Sequence, residues 1–295
     1  MKVSDILTAG RKAFPSLEFV PPLKGSDLDI LYRTMDPLME FRPPYVNITC
    51  HRDEIENGRV VTKHPGTVAI TAALLRRYRT EVVPHVLCGG ASRYQIENVL
   101  FDLNFIGIEN VMALRGEAAK GEAGFKAVKD GHTYCRELVE QIHDTFPDKF
   151  CIGVAGYPEK HFEAESLDCD IAHLKEKVDA GANYIITQMF FDNKVFFNFE
   201  KKCREAGISV PIIPGLKPVA NFGHLVKLPE VFSLHMPQEL VKEIKRCTTD
   251  DQVRQIGIEW CISQSRELIS SGVPAIHYYT MSRGRNIVEI LREVF

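Results

Sequence analysis

Glu18 is an isolated acid in an apolar setting, between Leu17 and Phe19 and just ahead of Val20-Pro21-Pro22. A carboxyl group in such a strand is desolvated, which raises its pKa and suits it to act as a general acid near neutrality. A structural glutamate paired with an arginine or lysine fits the same residues. Arg115-Gly116-Glu117 follows Val111-Met112-Ala113-Leu114 directly and offers a cation, a close backbone approach and an anion at one strand end, or else a surface pair. His85 and His161 could hold a phosphate or a ring oxygen. A metal at His85-x-x-Cys88 is discounted because no second clustered pair of ligands accompanies it. Asp170 sits where a helix N-cap would fall, Lys177 reads as a solvated helix lysine and Phe222 as a core aromatic. Neither GxGxxG nor GxxxxGK[ST] occurs, so any cofactor must lie across strand ends.

The elements that must position these groups centre on residues 150–192, where apolar runs at 150–155 and 184–191 flank a helix carrying Ile171, Leu174 and Val178 and closed by Gly181. This βαβ unit recurs. Further strands are predicted at 17–20, 45–49, 82–87, 108–114, 210–214 and 275–280, each followed by an amphipathic stretch. The first helix is predicted over 27–39; Pro65-Gly66-Thr67 opens another, and Ser92 caps the one bearing Ile96, Val99, Leu100 and Leu103. Tyr134, Leu138, Ile142 and Phe146 mark a further helix, as do Phe196, Phe199, Cys203 and Ala206. Two or three extra helices are expected over 221–271, including 238–246 and 251–269, before a last helix buries Ile287, Ile290, Leu291 and Val294. The alternation predicts an α/β protein, an eight-stranded parallel β/α barrel (TIM barrel) with extra helices between strands seven and eight, as one domain over 1–295. An open doubly wound sheet is the second choice. In a barrel the site lies at the carboxyl face, where the strand ends read Glu18, Thr49, His85, Arg115, Tyr157 to His161, Gln188 and Tyr279-Thr280.

A net charge of -3 without a long basic run gives no electrostatic reason to expect nucleic acid or an anionic membrane. No run approaches the roughly 20 apolar residues of a membrane span, and residues 1–16 lack a signal-peptide core, so a cytoplasmic protein is expected. Eight cysteines without a CxxC pair predict reduced thiols.

Several motifs together resemble one family: Leu17 to Pro22, Ala113-Leu114-Arg115-Gly116, Tyr157-Pro158-Glu159-Lys160-His161, Asp179 to Asn183 with Ile186-Thr187-Gln188, Pro214-Gly215 with Asn221-Phe222, and Tyr279-Thr280. They run in order from the first strand to the last, and the chain is similar to methylenetetrahydrofolate reductases of the single-domain bacterial type. The resemblance implies a β/α barrel that holds FAD and passes a hydride from NADH or NADPH to methylenetetrahydrofolate, giving methyltetrahydrofolate for methionine synthesis. By motif position Glu18 resembles the general acid, and Glu117 stands where the family usually has Asp near the flavin. Gln188, Phe222 and Arg283 are implied to bind substrate, Gln188 at the pterin and Phe222 by stacking. Thr49, His85, Arg115, Gly116, Glu117, Tyr157, His161, Asp170 and Lys177 fall where the family contacts FAD. A second departure is the loop after Thr49, where Cys50-His51-Arg52-Asp53-Glu54 replaces a Gly-rich turn. The implied partners are small molecules, with assembly into a homo-oligomer left open. Another barrel flavoprotein, one resembling proline dehydrogenase, or a non-catalytic flavin- or pterin-binding subunit would use similar residues.

Overall fold

Parallel strands covered on both faces must be apolar on both, and those of this chain are almost wholly buried. The computed structural model describes the chain apart from residues 11, 53, 57, 58, 62, 119–123 and 281–283, so Arg283 lies outside the described residues. In chain order the elements are α1 (Val3–Thr8), β1 (Phe14–Phe19), α2 (Asp29–Met39), β2 (Tyr45–Ile48), β3 (Glu54–Glu56), β4 (Arg59–Val61), α3 (Thr67–Arg77), β5 (Glu81–Leu87), α4 (Arg93–Phe105) and β6 (Asn110–Leu114). They continue with α5 (Cys135–Thr145), β7 (Cys151–Gly156), α6 (Leu167–Asp179), β8 (Tyr184–Met189), α7 (Asn193–Glu205), β9 (Ile212–Leu216), α8 (His224–Phe232), α9 (Gln238–Lys245), α10 (Asp250–Ser270), β10 (Ala275–Tyr279) and α11 (Gly284–Val294). Strands β1, β2, β5, β6, β7, β8, β9 and β10 form a closed parallel barrel, as predicted, and β3 pairs antiparallel with β4 outside it. Closure falls between β10 and β1, where Phe14 is in register with Ala275, Ser16 with His277 and Glu18 with Tyr279.

The strand period of two sorts residues between barrel interior and helix layer. Leu17, Phe19, Val46, Ile48, Val86, Val111, Val154 and Ile276 pack outward in one cluster with the helices. Phe14, Tyr45, Val83, Met112, Tyr184, Ile186, Ile213 and Ala275 fill the lower interior, where Val3, Ile6 and Leu7 of α1 join them. Gly153 makes room for the Tyr184 ring, whose Cζ would lie 2.4 Å from an added Cβ.

Several boundaries differ from the sequence expectation. β1 starts at Phe14 rather than 17, and β9 runs to Leu216 rather than stopping at 214. α1 and the β3–β4 hairpin were not expected. The insertion before β10 holds three helices. Asp170 is not an N-cap: Ser166 caps α6, its Oγ accepting from Cys169 N at 3.1 Å, and Asp170 lies within the first turn. Ser92 caps α4 with a full capping box. Among the described residues no cysteine forms a disulfide and no helix is long and apolar enough to cross a membrane.

Candidate active site

Above its apolar floor the barrel interior turns polar. Ser16 and Glu18 follow Phe14 at every second position of β1, so both side chains share its side of the barrel wall. Ser16, Asn47 and His277 are completely or almost completely buried, and His85 nearly so. Glu18 lies at the carboxyl end, its side chain 12% exposed, with Oε2 at 3.6 Å from both His85 Nε2 and His277 Nε2. Its backbone is fixed by Thr280, whose Oγ1 donates to the Glu18 carbonyl at 2.6 Å.

The expectation of a raised carboxyl pKa is overturned. Burial does push Glu18 up, but the adjacent imidazole of His277 and the charges of His85, His277 and His51 outweigh it and hold the carboxyl below its ordinary value. His85 is itself pushed down to about 4, chiefly by burial. Near neutrality its charge is absent, which leaves His277 as the main counterweight to burial. Among the described residues the partners of this glutamate are imidazoles, not arginine or lysine.

A cationic group lies across the barrel, at β6 and β7. Arg115 Nη1 pairs with Glu163 Oε2 at 2.6 Å, not with Glu117, and its guanidinium stacks over Phe125 at 4.9 Å. Gly116 takes a left-handed φ of 84°, which turns the chain away after β6. Glu117 is exposed, and its carbonyl accepts from Arg52 Nη1 at 2.8 Å. The Asp170 carboxylate accepts from His161 N at 2.9 Å and so ties the Tyr157–His161 loop to α6. His161 Nδ1 accepts from Glu163 N at 3.2 Å, and burial with the neighbouring Arg115 lowers its pKa. Lys177 is not a solvated helix lysine: Nζ donates to the Ala155 carbonyl at 2.8 Å, under the end of β7. Tyr157 packs edge-on against His161 at 4.8 Å, and its hydroxyl pKa is raised, first by burial and then by Asp170.

Gln188 is the penultimate residue of β8, within a register shift, and its Oε1 accepts from Met189 N at 2.9 Å. Beside it Tyr279 donates to the Thr187 carbonyl at 2.7 Å, across Gly215, where a Cβ would lie 2.2 Å from the same carbonyl oxygen. Phe222 is not a core residue; it is 38% exposed in the loop after β9, where its N–H donates to Asp250. Thr49 Oγ1 meets His51 Nε2 at 3.1 Å, and His51 stacks on His64 at 4.2 Å. His64 Nδ1 in turn donates to the Pro21 carbonyl at 3.0 Å, so the loop that departs from the family pattern is tied to the end of β1.

Sequence reasoning missed Ser16, Asn47, His277 and Glu163. The first and third could have been found by stepping back two residues from Glu18 and from Tyr279.

The mouth of this closed β/α barrel thus holds a carboxylate between two imidazoles, with a cationic cluster opposite. Residues 2–294 match the family model for methylenetetrahydrofolate reductase. The chain is 32% identical over 269 residues to the 5,10-methylenetetrahydrofolate reductase of Pectobacterium carotovorum, covering 91% of this chain and 85% of that one. It is 31% identical over 300 residues to methylenetetrahydrofolate reductase (NADH) 1 of Arabidopsis thaliana, covering 98% of this chain and 49% of the plant protein. The chain thus spans about half the length of the plant and fission yeast relatives it matches. A solved Clostridium thermocellum protein described as binding two copies of 5-methyl-5,6,7,8-tetrahydrofolic acid shares the fold, with a TM-score of 0.63 at 12% identity over 100% of this chain and 98% of that one. The chain belongs to the methylenetetrahydrofolate reductase family.

Proposed function

We propose that this protein reduces methylenetetrahydrofolate to methyltetrahydrofolate, with FAD as hydride carrier, NADH or NADPH as donor, and Glu18 as general acid. The observation that carries this reading is the Glu18 carboxylate held between His85 and His277 at the carboxyl mouth of a barrel of this family. The donor set also suits FAD: Arg115, His161 and Lys177 converge from β6, the loop after β7 and α6, and could hold a pyrophosphate and its ribose. When bound, the flavin supplies a two-electron relay between nicotinamide and folate.

The chain's own residues do the rest. Glu18 rests ionised in the open site, so it must take a proton before each turnover. A folate ring seated over it excludes water and strengthens the upward push of burial, which favours the protonated form. That proton passes to the folate nitrogen that leaves as the bridging ring opens to an iminium. Gln188 has its Oε1 engaged by Met189 N, which leaves its amide hydrogens to donate to the pterin. Phe222 offers an exposed aromatic face for stacking, and Glu117 adds negative charge toward the cationic intermediate. Arg283 is assigned to substrate by motif position alone. Tyr157 lines the FAD side in this reading and Thr49 and His85 reach toward the flavin from the β2–β5 wall, while Asp170 orders the His161 loop. The whole chain acts as one catalytic barrel in the cytoplasm, feeding methionine synthesis.

Relatives carry both NADH and NADPH in their names, so the donor is to be measured. Anaerobic mixing of the purified yellow protein with each nicotinamide, then with methylenetetrahydrofolate, follows both half-reactions by flavin absorbance. Bleaching by one nicotinamide and recovery on folate addition is the expected result. A colourless protein, or reduced flavin that folate does not reoxidise, would sink the proposal.

A further inference from the structure

We propose that Glu159 is a positioning residue: its carboxylate ties the segment carrying Phe222 to the loop carrying Tyr157 and His161, and so sets the exposed aromatic face against the flavin side of the mouth. The inference deepens the reading of Phe222 as the group that stacks on substrate and rests on it.

The turn that presents Glu159 is firmly built. Pro158 takes the second position of a β-turn closed by Lys160 N, which donates to the Tyr157 carbonyl at 3.0 Å, and Glu159 follows at the third position. Lys160 then adopts a left-handed φ of 69°, and its Nζ donates to the Ala164 carbonyl at 2.8 Å. Asp170 holds His161 N from α6, so the loop is fixed on its far side as well. The Glu159 side chain is half-buried.

The segment it meets has little of its own to hold it. α8 has nine residues and buries one of them, Leu228, while Pro229 removes a hydrogen bond from its interior. Val226 and Val231 are exposed. Ser233 ends the helix in a left-handed conformation. Beyond it Leu234 and Met236 pack into a cluster with Met189, Phe191 and Leu240, and His235 between them is exposed. The backbone N–H of His235 donates to Glu159 Oε2 at 2.8 Å. At the other end of the segment the Phe222 N–H donates to Asp250 Oδ1 at 3.1 Å. Each end is thus held by a carboxylate, but the two differ in origin. Asp250 opens α10, in the same insertion between β9 and β10, whereas Glu159 comes from the loop after β7, two strands away round the barrel. Glu159 therefore fixes the Phe222 segment relative to the loop of Tyr157 and His161, which Asp250 cannot do.

A carboxylate is a strong acceptor for a backbone N–H, and in a segment that buries so little apolar surface one such bond is a large part of what resists local opening. The test uses the full chain as purified, with amide hydrogen exchange read by mass spectrometry. Glu159→Ala should speed exchange across residues 223–236 by roughly ten- to a hundredfold and leave the barrel strands unchanged. Glu159→Gln keeps an oxygen that can accept from His235 N and should restore most of the protection. In the folate half-reaction Glu159→Ala should raise the KM for methylenetetrahydrofolate about five- to tenfold, with kcat at saturation within about twofold of the parent, because a loosened stacking group weakens binding of substrate and transition state alike. Exchange over 223–236 that matches the parent in Glu159→Ala overturns the proposal. So does exchange that rises equally in the barrel strands, which would make Glu159 a general stabiliser, or a Glu159→Gln variant as loose as Glu159→Ala. Should the protein not reduce methylenetetrahydrofolate at all, the functional reading falls alone, because exchange is measured without substrate.

Discussion

Glu18→Gln separates the two half-reactions. The substitution is isosteric, but both imidazoles face the same carboxylate oxygen at 3.6 Å, so the amide atom that replaces it meets them either as an accepting oxygen or as a donating nitrogen, not as both. Exchanging charge-assisted contacts for neutral ones in a side chain 12% exposed changes stability by about 1 kcal/mol. The chemical loss is larger. General acid catalysis contributes about 10²- to 10⁴-fold, roughly 3 to 5 kcal/mol of barrier. Hydride transfer from nicotinamide needs no acid from the protein, whereas opening the folate bridge does. The variant should therefore keep its flavin and reduce it at nearly the parent rate, while folate-dependent reoxidation slows at least about a hundredfold. Anaerobic stopped-flow of each half gives both rates. Equal slowing of both halves would make Glu18 structural, and an undiminished folate step would place the acid elsewhere.

Glu117→Gln should slow folate-dependent reoxidation about tenfold while Glu117→Asp stays near the parent, since an exposed carboxylate acts by charge rather than reach; equal rates in all three proteins would refute the electrostatic role. Gly257→Ala gains about 1 kcal/mol of helix propensity in α10, but its Cβ would lie 1.9 Å from the Val219 carbonyl oxygen. An overpacking cost at the upper end of roughly 1 to 3 kcal/mol should leave a net loss of about 1 to 2 kcal/mol, lowering the urea midpoint, and a midpoint that rises would contradict it. Ser92→Ala removes the capping box of α4 and should cost about 1 kcal/mol in the same assay. His85 binds its proton only below about pH 4 when folded, against about 6.5 when unfolded, so the unfolded chain holds the extra proton between those values. Stability should fall as pH drops through that window, by up to about 3 kcal/mol, and His85→Gln should flatten the fall; a parent whose stability is level from pH 6.5 to 4 would disprove it.

The barrel was legible because its strands are apolar on both faces and their ends are polar. What escaped were short elements whose signals were present but weak. Val3, Ile6 and Leu7 recur at helical spacing, yet α1 is only six residues long, too short for periodicity to stand out from chance. Asn57-Gly58 between Glu54-Ile55-Glu56 and Arg59-Val60-Val61 is a hairpin signal in the sequence, but three of those six flanking residues are charged, which obscures the strand pattern. The N-cap of α6 was misplaced onto Asp170 because aspartate caps as well as serine does, and only the hydrogen bond from Cys169 N decides between them.

Glu18 itself was legible, since an acid inside an apolar strand must have a reason to be there. The sign of its pKa shift was not, and the cause is topological. Desolvation is a property of the local strand and can be read from neighbours in sequence, whereas the opposing imidazoles come from β5 and β10. His277 reaches Glu18 only because the sheet closes on itself, which brings β10 beside β1. Closure also explains how the mouth divides. Counting round the barrel from β1, the strand four places away in either direction is β7. The acid with its histidines thus gathers about β10, β1 and β5, and Arg115, His161 and Lys177 gather about β6, β7 and α6 on the far side. A cation close to Glu18 would stabilise its carboxylate and hold the proton off, while one remote across the mouth can bind an anion with little effect on the acid. On the proposed reading, the separation lets one site grip a doubly charged phosphate chain and still keep, at the opposite wall, a carboxyl group whose protonation is governed by the imidazoles beside it and by whatever covers it.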